Sequence, residues 1–162
     1  MKVEARLKEL GIQLPEASGS GRAGMNFVTW RRTGDLVYLA GHGPNRGGAL
    51  EWVGKVGAPE DGGQLSEEQG YQAARQTAIN LLATLKLAIG DLDRVRQLIK
   101  MLGMVNCTPH FGRQPYVING ASDLFVEVFG DAGRHARSAV GMQSLPNEMP
   151  VEIELIVEVA PD

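Results

Sequence analysis

Arg137-Ser138-Ala139-Val140-Gly141-Met142 and, beyond Leu145-Pro146-Asn147, Val151-Glu152-Ile153-Glu154-Leu155-Ile156-Val157-Glu158-Val159 are the stretch whose reading decides the fold. In its second half Val151, Ile153, Leu155, Val157 and Val159 fall on one face and Glu152, Glu154 and Glu158 on the other. That period of two specifies a strand with one buried face. The segment opening at Arg137 reads as the strand before it, and Leu145-Pro146-Asn147 as a turn. Opposed residues of an antiparallel hairpin keep a constant index sum, so pairing Arg137 with Glu152 centres the hairpin between Ser144 and Leu145, at that turn. The two side chains then face one another, provided that the strands pair directly and no bulge shifts the register. A facing Arg and Glu admit two readings. They form an ion pair that serves only the sheet surface, or the guanidinium offers its planar fork to a bound carboxylate while the Glu holds or polarises a water.

Upstream, Val3, Leu7 and Leu10 recur at helical spacing, which predicts a short amphipathic helix ending at Gly11. Pro15 to Gly24 reads as loop, and its Gly21-Arg22-Ala23-Gly24 lacks phosphate-loop spacing, as does Gly43 to Gly48. Phe27 to Trp30 and Leu36 to Ala40 are predicted to form a hairpin turning at Thr33-Gly34-Asp35. Gly43 to Gly63 carries much of the Gly and Pro and reads as a long flexible connection or lid, with a short strand at Leu50 to Val53. Ser66 and Gln69 have capping-box spacing, and Ala74, Ala78, Leu81, Leu82, Leu85 and Ile89 repeat at helical spacing until Gly90. Val95 to Val105 is strand-like, and Pro115 to Phe129 is a second helix stopped at Gly130.

This order predicts an α+β sheet with two main helices packed on one face and a short N-terminal helix. Leu98 to Val105 is apolar at both parities, as is Leu36 to Leu39, so both sheet faces need cover. Two helices cover one, and a second subunit is the simplest cover for the other. With 162 residues, 43% apolar and 22% charged, the chain fits a single domain over 1–162. A net charge of −3 argues against broad nucleic-acid binding, which requires concentrated positive charge. No apolar run reaches membrane-span length, and the charged first ten residues are unlike a secretory signal, so the expected compartment is the cytoplasm. Cys107, the single cysteine, rules out an intrachain disulfide and reads as a buried thiol. His42, His110 and His135 lack metal-site spacing.

Arg137-Ser138-x-Val140, then Leu145-Pro146, then Val151-Glu152-Ile153-Glu154 resembles the C-terminal signature of the RidA/YjgF family of enamine/imine deaminases. Gly34 to Pro44 is similar to that family's second strand, Ser66 to Ile89 to its long helix, and Asn119 to an Asn ahead of the final arginine. The resemblance implies a chorismate-mutase-like mixed sheet and homotrimers with ligand clefts between subunits. It also implies hydrolysis, without metal or cofactor, of reactive intermediates such as 2-aminoacrylate or 2-iminobutanoate to 2-keto acids and ammonia. By the same likeness Arg137 binds the substrate carboxylate, Glu152 handles water, and Phe27, Ala40, Gly41, Asn119 and Ala139 border the ligand. Three of these depart from the family pattern: Phe27 stands where a Tyr is common, Ala40 for a Ser and Ala139 for a Cys. The losses favour a divergent branch with a more apolar ligand, or a trimer that binds small carboxylates as a sensor without turning them over.

Overall fold

Ser66 opens the long helix with a reciprocal cap: its Oγ accepts from the Gln69 amide at 3.2 Å, and the Gln69 side chain accepts from the Ser66 amide at 2.9 Å. In this computed structural model, which describes residues 2–20 and 24–161, the helix runs over Glu67–Ile89 (α2) and stops at Gly90, where φ is +80°. The part of the Pro15 to Gly24 loop at 21–23 lies outside the described residues. Ala74, Ala78, Leu81, Leu82, Leu85 and Ile89, the stripe read from the sequence, are all buried. A second helix, Gln114–Phe129 (α3), lies against α2, pinned at the surface by Tyr71 to Asp123 at 2.8 Å and Arg75 to Glu127 at 2.6 Å. A short helix, Lys2–Glu9 (α1), buries Leu7, and Asp93 accepts from the amides of Lys2 and Val3 at its start.

The described residues form seven strands, in chain order Trp30–Thr33 (β1), Leu36–His42 (β2), Asn45–Arg46 (β3), Ala49–Leu50 (β4), Val95–Asn106 (β5), Ala136–Met142 (β6) and Val151–Val159 (β7). Five of them form a mixed sheet ordered β1-β2-β7-β5-β6, and β3 with β4 makes a two-stranded ribbon. Both main helices cover one face, burying Val37, Leu98, Met101 and the odd residues of β7 completely or nearly so. The other face carries Leu102, Met104 and Ile156, all half-buried, with Tyr38 and Val140 exposed. The expectation of an α+β sheet apolar on both faces and covered by helices on one therefore holds. Among the described residues no helix is long and apolar enough to cross a membrane.

Three local expectations are corrected. The first hairpin strand is Trp30–Thr33, not Phe27 to Trp30, because a two-residue turn at Gly34-Asp35 sets Thr33 opposite Leu36 and leaves Phe27 outside the ladder. The Gly43 to Gly63 segment is not a loose lid, and its short strand is Ala49–Leu50 rather than Leu50 to Val53. Val56 bridges both Leu65 and Cys107, the Gly54 amide donates to the Glu148 carbonyl at 2.7 Å, and Lys55 Nζ donates to Asn106 Oδ1 and the Gln143 carbonyl. Most consequentially, β6 and β7 do not form a hairpin. Strand β5 lies between them, parallel to β6 and antiparallel to β7.

At Gly120 the two helices pack backbone to backbone, and an added Cβ would sit 2.0 Å from the Tyr71 carbonyl oxygen. That neighbour is backbone and cannot rotate away. Gly120→Ala is expected to force α2 and α3 apart and destabilise the fold by about 2 kcal/mol, seen as a lower urea midpoint at unchanged slope.

Candidate active site

Glu152 is the second residue of β7 and lies on the face without helices. Its carboxyl rests over β2 at Gly41, where a Cβ would fall 2.1 Å from Glu152 Oε1, so any side chain at 41 would displace it. Here β2 is irregular: its register with β7 shifts between Leu39 and His42. The bulge sends His42 back to the helix side, where its Nε2 lies 2.8 Å from Thr84 Oγ1 of α2, while Gly41 stays against Glu152. A cleft of about 660 Å³ wraps round this end of the sheet, walled by Phe27, Gly41, His42, Thr84, Met149 and Glu152 among others. Phe27 is 48% exposed, its ring serving the cleft rather than the core.

Most polar groups of the cleft are already committed. His42 Nδ1 is 2.7 Å from the Ala40 carbonyl, an acceptor only, so Nδ1 carries the proton and Nε2 accepts from the Thr84 hydroxyl. Burial lowers its pKa, keeping the ring neutral. Asn80 donates to the carbonyls of Gly43 and Asn45, both at 2.9 Å. Glu152 differs: no hydrogen bond or ion pair to the described residues engages its carboxyl. Burial first, and the charge of Glu154 second, push its pKa up. A half-buried, uncommitted carboxyl with a raised pKa in a cleft is the arrangement expected of a proton-transfer group.

Arg137 lies elsewhere. On β5, Met101 stands level with Arg137 of β6 and with Leu155 of β7, whereas Met104 stands level with Glu152. Level residues of neighbouring strands share a face. Arg137 therefore turns to the helices and Glu152 to the open side, with two strand spacings and three residues between them, roughly 14 Å. They are not an ion pair. The guanidinium lies on α3: Nη1 donates to Ser122 Oγ at 2.9 Å and Nη2 to the Pro115 carbonyl at 3.2 Å. Burial lowers its pKa while Asp123 raises it, and an arginine stays charged throughout. Two of its five N–H donors are spent, which leaves donors for an anion at the sheet edge.

The seven residues singled out in the sequence thus divide. Asn119 lies between Pro115 and Ser122 on one stripe of α3, beside Arg137, and Ala139 shares Arg137's face of β6. Phe27 and Gly41 join Glu152 in the cleft. Ala40 joins neither, lining a hollow of about 330 Å³ on the open sheet face with Tyr38, Leu102 and Glu154. The sequence reading missed Ser122, and it missed the cleft wall formed by Pro146, Asn147 and Met149. Asn147 and Glu148 have φ of 54° and 56°, a conformation costly for side-chain-bearing residues, and Leu145-Pro146 signalled only a turn there. Among the described residues no group of three or more His, Cys, Asp or Glu is placed to hold a metal.

Residues 4–159 match the family model described as "YjgF/chorismate mutase-like, putative endoribonuclease". The chain is 39% identical over 160 residues to Protein TCP17 of Trypanosoma cruzi, covering 97% of this chain and 94% of that one. The crystal structure of protein Atu1372 of Agrobacterium tumefaciens, described as of unknown function, superposes with a TM-score of 0.86 at 42% identity, covering 98% of this chain and 92% of that one. A Shewanella oneidensis structure described as a "putative endoribonuclease" gives a TM-score of 0.88 at 31% identity, covering 97% and 99%. With the sheet order, the helix layer and the Arg137 to Glu154 signature all in place, the chain belongs to the YjgF/chorismate-mutase-like family.

Proposed function

We propose that the protein hydrolyses reactive enamines and imines of 2-amino acids to 2-keto acids and ammonia, in sites each completed by two copies of the chain. The observation that carries this reading is the division between an uncommitted Glu152 in the cleft and an Arg137 with free donors on the opposite sheet face. One chain cannot bring them to one small molecule. A neighbour's β6 edge set against the cleft supplies a guanidinium where the described cleft residues include none, and a homotrimer closes such head-to-tail contacts into a ring. Family membership is consistent with this chemistry.

In the site, Arg137 of one copy grips the substrate carboxylate, beside Asn119 and Ala139, while C2 lies over Glu152, Phe27 and Gly41 of the next. The enamine takes a proton at its β-carbon and becomes an iminium ion. Glu152 as carboxylate accepts a proton from water as the oxygen adds to C2, giving a neutral carbinolamine. Glu152 returns that proton to nitrogen and then takes the hydroxyl proton as the C–N bond breaks, leaving the ketone and ammonia. The substrate is already reactive, so anchoring, water alignment and a base suffice. Binding without turnover is a second reading, favoured by the apolar Phe27 and Ala139, and it also uses Arg137.

The test generates 2-aminoacrylate in situ and follows its loss. Arg137→Ala is expected to lower kcat/KM about a hundredfold or more, and Glu152→Gln to lower kcat about as much. No acceleration by the wild type over buffer overturns hydrolysis. If pyruvate still binds and Arg137→Ala abolishes that binding, the sensor reading replaces it. RNA cleavage that copurifies with the protein and is lost in Arg137→Ala would instead establish a nuclease.

The shared site makes a separate prediction. Arg137→Ala and Glu152→Gln chains, unfolded together and refolded as an equal mixture, should recover about one quarter of wild-type activity, since each shared site then has an even chance of each intact residue. A site contained within one chain recovers nothing. Because the raised pKa belongs to the group that must be ionised, activity falls as pH drops through it, with the acid limb above the ordinary carboxyl value of 4.5. A limb at or below that value would remove Glu152 as the base.

A further inference from the structure

We infer that Ser122 and His135 are positioning residues that hold the Arg137 guanidinium in the orientation that receives the substrate carboxylate; this rests on the role given to Arg137 above. Arg137 sits on β6, an edge strand, at the end of a long side chain that would otherwise sample many rotamers. Its Nη1 donates to Ser122 Oγ at 2.9 Å, and the same oxygen lies 3.1 Å from His135 Nε2. His135 Nδ1 lies 2.8 Å from the Gly133 carbonyl, which only accepts, so Nδ1 bears the proton and Nε2 offers a lone pair. The Ser122 proton therefore goes to His135, and a Ser122 lone pair is left facing Arg137.

Every donor in this chain points the same way: Arg137 to Ser122, Ser122 to His135, His135 to Gly133. Bonds aligned head to tail polarise one another, which strengthens the oxygen as an acceptor for the guanidinium. The direction needs a neutral imidazole, and burial, together with the nearby Arg137 charge, lowers the His135 pKa. The ring itself is fixed edge-on to Phe125, centroids 5.9 Å apart at 85°. At the other end of the guanidinium, Nη2 is tied to the Pro115 carbonyl. Both terminal nitrogens are thus fastened to α3, with Asp123 the nearby counter-charge, and the remaining N–H groups are aimed by that fastening rather than by the ligand. Neither residue touches the proposed substrate. Preorganising the fork lowers the entropic cost of binding the carboxylate, so the effect belongs in KM rather than kcat.

The experiment compares wild type, Ser122→Ala, Ser122→Thr and Arg137→Ala by KM and kcat for 2-aminoacrylate generated in situ, by pyruvate binding in calorimetry, and by Tm. Ser122→Ala is expected to raise KM and the pyruvate Kd about tenfold with kcat nearly unchanged, and Ser122→Thr, which keeps the hydroxyl, to restore both. In nitrogen-15 spectra of the wild type, His135 should be neutral and protonated on Nδ1. If Ser122→Ala lowers Tm but leaves KM and Kd alone while Arg137→Ala raises them, the bond only staples β6 to α3, and the positioning role falls while the carboxylate role of Arg137 stands. If Arg137→Ala leaves pyruvate binding and KM unchanged, both fall. A spectrum showing His135 protonated on Nε2 overturns the inference by itself.

Discussion

Strand β5 decides what every other part of this protein can do, because it pairs parallel with β6 on one side and antiparallel with β7 on the other. Parallel neighbours cannot be joined by a tight turn, so the chain crosses from β5 to β6 through α3, which lands on the same sheet face as α2. The return to β7 must then pass β5 to reach its far side. That passage is the Leu145 to Pro150 segment, with consecutive left-handed residues at Asn147 and Glu148. The strain is tolerated because the segment is tied: the Glu148 carbonyl accepts from Gly54 and the Pro150 carbonyl from Asn106. The same segment walls the cleft in front of Glu152.

From that topology the electrostatics follow. A carboxyl on the open face at the head of β7 meets no cation among the described residues, and Arg137 is held on the other face by α3. Half-burying Glu152 without a partner disfavours its charged form, and the protein accepts this destabilisation in exchange for a group whose proton affinity is raised. The polar residues around it are spent on one another, His42 on Thr84 and Asn80 on two carbonyls. Their role is to fix the irregular end of β2 and the start of the β3-β4 ribbon. Glu152 is left as a half-buried side chain able to respond to a guest.

The sequence made the helices legible because their signals are local: a capping box at Ser66, an apolar stripe to Ile89, glycines at 90 and 130. The alternation of β7 was equally plain, and so was the apolar character of β5 at both parities. What failed was strand pairing, which is not local. The index sum that matched Arg137 to Glu152 across Leu145-Pro146-Asn147 is a correct rule for a hairpin, applied to strands that another strand separates. Phe27 to Trp30 misled for a similar reason: its residues suit a strand, yet the turn at Gly34 fixes the ladder three residues later. The Gly-rich Gly43 to Gly63 segment looked loose, since backbone bonds to Val56 and Gly54 leave no trace in composition. Of the proposed site, the likeness named Arg137, Glu152, Gly41 and Phe27, and one cleft holds the last three. It had no means of placing them on different faces, and nothing in the sequence marked Ser122.

On the proposed reading, one requirement answers two needs. The open sheet face presents Leu102, Met104, Ile156, Tyr38 and Val140, an apolar surface that the two helices cannot reach. Contiguous apolar surface of this kind on a sheet is ordinarily covered by another molecule. Among the described residues the cleft lacks a cation, and β6, an edge strand, carries one on its helix-facing side. Packing that shields the sheet also brings a neighbour's edge to the cleft, so burial of apolar area and completion of the site become a single event. It follows that Arg137, whose bonds to Ser122 and the Pro115 carbonyl tie β6 to α3 in its own chain, should also matter to the chemistry of the next.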